Sequence, residues 1–231
     1  MKKSEKTASF CTLEHITKNY KMGETVTPLK DINLEVAPGD FICIEGPSGT
    51  GKSTLLYVIG TLLESDEGRL TIDGKDTAKM SDAEKTELRA EKIGFLFQDS
   101  NMIQSLTLRE NLEFVRDISG KDKKSESVTA DIDELLDEFG LKDRADFFPH
   151  QLSGGQRRRA MAARALIHRP KLILADEPTN DLDDKWAAAA VERLREECAK
   201  GAAVIMVTHN DKWTGNATRR YRLDEGALKE I

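Results

Sequence analysis

Gly46-Pro47-Ser48-Gly49-Thr50-Gly51-Lys52-Ser53 decides how the rest of this chain is read. The run has the form G-x-x-x-x-G-K-[ST], a phosphate-binding loop. Its glycines let successive backbone N–H groups turn inward and form a concave anion site. Lys52 can reach β- and γ-phosphates, and the Ser53 hydroxyl can ligate Mg²⁺. Together with Thr54 these residues open a helix whose positive N-terminal end faces the phosphates. The flanks agree. Phe41-Ile42-Cys43-Ile44 reads as a short buried strand before the loop, and Leu55, Leu56, Ile59, Leu62 and Leu63 form one helical face after it.

The chain has 231 residues, enough for one large domain or a core with a subdomain. With 35 basic and 41 acidic residues the formal charge is −6, which speaks against a nucleic-acid-binding surface. Cys11, Cys43 and Cys198 are odd in number and lack metal spacing, so they read as reduced thiols in a cytosolic protein. Met1 to Phe10 carries lysines without an apolar core, so no signal peptide is expected. No apolar run approaches a membrane-spanning length, which leaves docking on a membrane protein open.

Outward from the loop, the N-terminal side reads as short strands with an antiparallel flavour. Residues 1–9 are polar and expected to fray. Phe10 to Ile16 suggests a first strand, and Tyr20 follows in a polar stretch ending at Pro28. Ile32 to Val36 and Arg69 to Asp73 are further strands. On the C-terminal side, Ser81 with Glu84 and Thr107 with Glu110 form capping boxes for two helices. Ile93 to Phe97 is a buried strand between them. Ser119 to Ser127 reads as a charged exposed loop. Ile132, Leu135, Leu136 and Phe139 mark an amphipathic helix closed by Gly140. Residues 99–160 are therefore mostly helical, an insertion into an α/β core. Ser153 caps a helix that stops before Pro170. Leu172 to Ala175 and Ala203 to Val207 are buried strands, with an Asp183-capped helix between them. A last hairpin turns at Glu225-Gly226.

The strand ends carry the chemistry. Asp176 and Glu177 follow four apolar residues. Asp176 can hold Mg²⁺ through water or Ser53, and Glu177 can take a proton from an attacking water. Gln98 ends another strand and can ligate Mg²⁺ or orient water; a plain loop glutamine is the alternative. His209 can hydrogen-bond a γ-phosphate and the attacking water, or simply cap. Leu152-Ser153-Gly154-Gly155-Gln156 opens a helix with a hydroxyl and free N–H groups facing outward, a second phosphate site. One loop already cradles the phosphates, so the second site is read as serving the nucleotide of another subunit. Arg157-Arg158-Arg159 after it reads as a solvated helix face.

In this order the motifs resemble the nucleotide-binding subunit of ABC transporters. Gly46 to Ser53 is similar to the Walker A, Gln98 to the Q-loop and Leu152 to Gln156 to the signature. Leu172 to Glu177 is similar to the Walker B with its catalytic glutamate, Asp181-Leu182-Asp183 to the D-loop and His209 to the switch histidine. Tyr20 stands where that family places an adenine-stacking aromatic. The resemblance covers nearly the whole chain. It implies an α/β P-loop NTPase (RecA-like) core with an N-terminal antiparallel β subdomain and an inserted α-helical subdomain. A single ABC ATPase domain would then span 1–231. Residues 1–98 would hold the β part and Walker A, 99–160 the helical subdomain with the signature, and 161–231 the Walker B and switch histidine. The implied cofactors are ATP and Mg²⁺, with Ser53, Gln98 and Asp176 at the metal and Lys52, Glu177 and His209 catalytic. The implied partners are a second copy in an ATP-dependent homodimer and an integral membrane permease subunit on the cytoplasmic face.

Glu84 to Gln98 looks like the lipoprotein-releasing and macrolide-export branch. That branch usually continues Gly-Asn-Leu-Asp after Pro178-Thr179, whereas this chain has Asn180-Asp181-Leu182-Asp183, a variant closer to soluble tandem ABC ATPases acting on translation. A ribosome-directed ATPase and a regulator of a cell-envelope or division complex are therefore the alternatives. A phosphotransferase would leave the second phosphate site without a purpose. The connector holding Met102, Ile103 and Leu106 is expected to be surface-exposed; its apolar residues either pack under the helical insertion or form a docking groove, and the family resemblance implies the groove, receiving a short cytoplasmic helix of the membrane subunit.

Overall fold

A computed structural model describes residues 9–120 and 127–231. The expectations of a frayed start and a charged loop fall mainly on 1–8 and 121–126, outside the described residues. In chain order the strands and α-helices are β1 (Cys11–Met22), β2 (Glu24–Val36), β3 (Phe41–Glu45), α1 (Lys52–Ile59), β4 (Glu67–Ile72), β5 (Lys75–Asp76), α2 (Asp82–Lys92) and β6 (Ile93–Leu96). After them come α3 (Leu108–Ile118), α4 (Ser127–Glu138), α5 (Gly154–Leu166), β7 (Leu172–Asp176), α6 (Asp184–Ala199), β8 (Ala203–Thr208), β9 (Arg219–Asp224) and β10 (Ala227–Glu230).

The strands form two sheets. One is antiparallel, in the order β2-β1-β4-β5; the other has six strands in the order β10-β9-β3-β8-β7-β6. In the second, β9, β3, β8, β7 and β6 run parallel, and only β10 reverses. Parallel strands need covered faces, and the sequence supplies them. Phe41 and Cys43 on β3, Ile173 and Ala175 on β7, and Val204 and Met206 on β8 point into a core shared with the helices α3 to α6. Their neighbours Ile42 and Ile44, Leu172 and Leu174, and Ile205 and Val207 point into a second core shared with α1 and the antiparallel sheet. Alternation along each strand thus feeds two layers at once, which is why these strands read as unbroken apolar runs.

The local signals act as written. Ser81 and Glu84 exchange both capping-box bonds at α2, as do Thr107 and Glu110 at α3. Gly140 takes a left-handed φ of 61° just past α4. Asp183 caps α6 through Trp186 N–H. Burial pushes the Cys11 and Cys43 thiols up to about 12 and Cys198 to about 11, which keeps them protonated and inert.

Two expectations are corrected. The first strand does not end near Ile16: β1 runs on through Tyr20 to Met22, turns at Gly23 and pairs with β2, setting Tyr20 opposite Val26. Both strands are largely polar there because much of that end of the hairpin faces solvent, so no alternation announces it. Met102 is not exposed. It keeps only 4% of its surface and packs into the helical-side core, while Ile103 and Leu106 are half-buried.

Candidate active site

Because β3, β8, β7 and β6 run parallel, their C-terminal ends share one rim, where ligands bind in open α/β sheets. The chain leaves β3 into Gly46–Gly51, β6 toward Gln98, β7 at Asp176-Glu177 and β8 at Thr208-His209. Residues separated by more than 160 positions are brought together by topology alone.

The phosphate-binding loop turns into α1 through Gly51, whose φ of 101° suits glycine. A Cβ at Gly51 would stand 2.7 Å from the Pro28 carbonyl oxygen, so the β1–β2 hairpin rests directly on the loop. Thr50 Oγ1 donates to Pro47 O at 2.9 Å, closing the loop on itself. Pro47, Ser48 and Gly49 are exposed, whereas Lys52 is buried with its Nζ donating to Gly46 O at 2.6 Å and Pro47 O at 2.7 Å. Burial lowers the Lys52 pKa, opposed by the Glu177 and Asp176 carboxylates. Thr54, on the first turn of α1, is half-buried.

Asp176 and Glu177 keep 3% and 6% of their surface. Burial raises the Asp176 pKa; a hydrogen bond from Ser53 opposes it, neighbouring Glu177 adds to it, and Arg158 and Lys52 pull it back. Its Oδ2 is buried with no hydrogen-bond partner in the protein. An orphaned carboxylate oxygen beside a serine hydroxyl suits a hard divalent cation such as Mg²⁺. Glu177 sits in the left-handed region at φ 48°. Its Oε2 accepts from Thr208 Oγ1 at 3.1 Å, and its Oε1 lies 2.8 Å from His209 Nδ1. A carboxylate has about four lone-pair directions, so both contacts orient Glu177 and leave it able to accept a proton.

Gln98 lies exposed two residues beyond β6. Tyr20 is half-buried on the hairpin that presses on the loop, with Lys18 Nζ 5.8 Å from its ring centroid. Ser153 caps α5: its hydroxyl accepts from Gln156 N–H while Gln156 Oε1 accepts from Ser153 N–H at 2.8 Å. Gly154 has nothing within 4 Å of where a Cβ would lie, and one on Gly155 would stand 3.2 Å from Asp181 O. Asp181 is exposed at φ 61°.

The arginine run corrects the sequence reading. Arg158 keeps 4% of its surface and donates to the Phe97, Gln98, Asp176 and Glu177 carbonyls. Arg159 lies 3.8 Å over the Trp186 ring and also donates to Phe139 O. Arg157 donates to Leu152 O at 2.5 Å. Thr208, too, carries no motif; its place next to His209 at the end of an apolar run was the only available signal.

Comparison with known proteins agrees with this geometry. The family model described as "ABC transporter" matches residues 29–180. An uncharacterized ABC transporter ATP-binding protein of Methanocaldococcus jannaschii is 41% identical over 94% of this chain and 97% of its own. A lipoprotein-releasing system ATP-binding protein, LolD 1, of Rhodopirellula baltica is 38% identical over 94% of each chain. A solved ATP-binding cassette, dimeric in a post-hydrolysis state with ADP and Pi bound, superposes with a TM-score of 0.89 at 37% identity, covering 95% of this chain and 98% of its own. The chain belongs to the ABC transporter family, among its ATP-binding, ATP-hydrolysing subunits.

Proposed function

We propose that two copies of this chain close head to tail around two Mg-ATP molecules. The Gly46–Ser53 loop of one copy and Ser153–Gln156 of the other hold each nucleotide, and the cycle drives a separate membrane permease. The single observation that carries this reading is the shared rim, where Lys52, Ser53, Asp176, Glu177 and His209 converge from three parallel strands. Tyr20 stacks on the adenine, and Asp181 lies beside the signature at the dimer seam.

In this reading Ser53, Gln98 and Asp176 hold Mg²⁺, which when bound neutralises phosphate charge. Backbone N–H groups of the loop bind the phosphates, and Lys52 stabilises charge on the transferring phosphoryl group. Glu177 accepts a proton from water as that water attacks, and Thr208 and His209 hold the carboxylate in place. Ser153 to Gln156 offer helix N-terminal N–H groups to the nucleotide of the other copy. The dimeric cassettes among the solved relatives support the pairing.

The permease reading rests on a groove of about 310 Å³ between α2, β6, α3 and α5, lined by Phe95, Phe97, Asn101, Val115 and Ile118 among others. It opens next to the Gln98 connector, and Phe114 and Ile118 on α3 are exposed beside it. No helix among the described residues is long and apolar enough to cross a membrane, so a translocation path would come from a partner. That partner would hold the chain on the cytoplasmic face. Named relatives are assigned to cargoes as unlike as lipoproteins and hemin, so the cassette is read as a motor whose partner selects cargo.

Glu177→Gln tests the reading, since it keeps size and removes the base. ATP binding should persist while turnover falls by ~10² or more. Sedimentation of this variant should show a dimer with saturating Mg-ATP and a monomer without it. Turnover near the parent rate would remove Glu177 from the reaction, and a stable monomer with ATP bound would remove the sandwich.

A further inference from the structure

Arg158 spends a buried guanidinium on four backbone carbonyls and on no carboxylate side chain. Nη1 donates to Phe97 O at 2.5 Å and Gln98 O at 2.8 Å; Nη2 donates to Asp176 O at 2.6 Å and to Glu177 O. Its Nε is buried without a hydrogen-bond partner. Burying a cation this way is costly, and the carboxylates of Asp176, Asp181, Glu177 and Asp99 offset the cost only through space. A solvated helix face needs no such arrangement, so the contacts call for a purpose.

The placement supplies one. Arg158 lies five residues past Ser153, about 7.5 Å along α5 from the signature cap. Its two nitrogens grip the ends of two different strands, β6 at Phe97-Gln98 and β7 at Asp176-Glu177. At Glu177 the grip completes a pin. The Glu177 N–H donates to Val207 O at 3.0 Å, its C=O accepts from Arg158, and between them the residue is held at φ 48°. For a side chain of this size that backbone costs on the order of 1–3 kcal/mol and persists only when its neighbours over-determine it. A planar fork with donors on both arms can do this, whereas a lysine ammonium is a point donor.

We propose that Arg158 is a positioning residue for hydrolysis: it fixes the backbone at Gln98 and Glu177 and ties both to the helix that begins at the signature. Movement of α5, whose first turn faces the nucleotide of the other copy, is thereby transmitted to the water-activating carboxylate of its own copy. The inference rests on the assignment of Glu177 as the base.

The test compares the full-length parent, Arg158→Met, Arg158→Lys and Glu177→Gln. Each is measured for kcat per nucleotide-binding site, KM for Mg-ATP, equilibrium ATP affinity and thermal midpoint. Arg158→Met keeps an unbranched stem and removes every donor. Its kcat per site should fall ~10-fold or more, because small misplacement of a reacting group costs up to ~10² in rate. Its ATP affinity should stay within about threefold of the parent, a shift of under ~0.7 kcal/mol. Arg158→Lys should recover part of kcat. A merely structural arginine would lower the midpoint and leave kcat per binding site at the parent value. Parental kcat per site in Arg158→Met overturns the proposal; should that variant not fold, parental kcat per site in Arg158→Lys overturns it. If Glu177→Gln retains turnover, the base assignment fails and this proposal with it; if Glu177→Gln is inactive and the Arg158 variants are not impaired, the positioning role alone fails.

Discussion

Gly51→Ala puts a number on how tightly the phosphate-binding loop is held from behind. Two costs arise. The backbone at Gly51, with φ 101°, is one that side-chain-bearing residues rarely adopt, which costs on the order of 1–3 kcal/mol. The new methyl would also lie 2.7 Å from Pro28 O and 2.8 Å from Pro28 Cβ, in contact with backbone and a rigid ring that cannot swing aside. Such overpacking costs another ~1–3 kcal/mol. Displacement of the hairpin would relieve part of the second cost, so the net expectation is about 2–4 kcal/mol, a large share of a typical ~5–15 kcal/mol stability. Gly49→Ala is the control: it shares the positive φ, at 82°, yet has nothing within 4 Å of the added carbon. Urea unfolding without nucleotide should therefore rank Gly51→Ala below Gly49→Ala by at least ~1 kcal/mol. Calorimetric titration should show weaker ATP binding for Gly51→Ala as the loop is pushed out of shape. Equal destabilisation by the two substitutions would refute the claim that Pro28 buttresses the loop.

Further outcomes follow from the same geometry. Burial raises the Asp176 carboxyl pKa, so its contribution to stability is complete below the ordinary carboxylate range and is lost as pH rises through the raised value. Asp176→Asn should accordingly raise the thermal midpoint at neutral pH without Mg²⁺, with the gain shrinking in acid, and should abolish the extra Mg²⁺-dependent stabilisation by ATP; an unchanged midpoint would contradict the assigned burial cost. Tyr20→Ala should raise the KM for ATP by about tenfold, in line with ~1–3 kcal/mol for base stacking, while Tyr20→Phe should be nearly silent; equal effects would point to the hydroxyl instead. Met102→Asp should destabilise the fold by several kcal/mol, since it places a charge in the helical-side core. Ile118→Asp, at an exposed position on the rim of the groove between α2, β6, α3 and α5, should leave stability within ~1 kcal/mol and instead reduce co-purification of the membrane partner; retained partner binding would place the docking groove elsewhere.

How much was legible depended on whether the signal was local. Gly46 to Ser53 is contiguous, and its meaning depends on backbone freedom and two side chains, so it could be read directly. Asp176-Glu177 and His209 could be placed because each follows an unbroken apolar strand, and strands buried on both faces end on one rim. The capping boxes at Ser81 and Thr107 and the cap at Ser153 are short-range signals and reappear as hydrogen bonds. Tyr20 falls beyond the first strand that the sequence suggests because β1 and β2 pair there without an apolar face. Met102 lies in an irregular segment whose burial is decided by helices packed over it. Arg158 was hidden most completely. Its partners are carbonyls 18 to 61 residues away in the chain, and carbonyls have no letter in a sequence.

The Lys52 ammonium carries a consequence of its own. Donating to Gly46 O and Pro47 O, it already holds two good acceptors supplied by the loop that would cradle a phosphate. An ammonium has three N–H donors, so these two contacts fix where the nitrogen sits and leave the third to point at an arriving phosphate oxygen. The carbonyls also keep the charge beside the loop rather than free in solvent, so a phosphate would find it aimed in advance, and charged oxygens accept from that donor more strongly than neutral ones would.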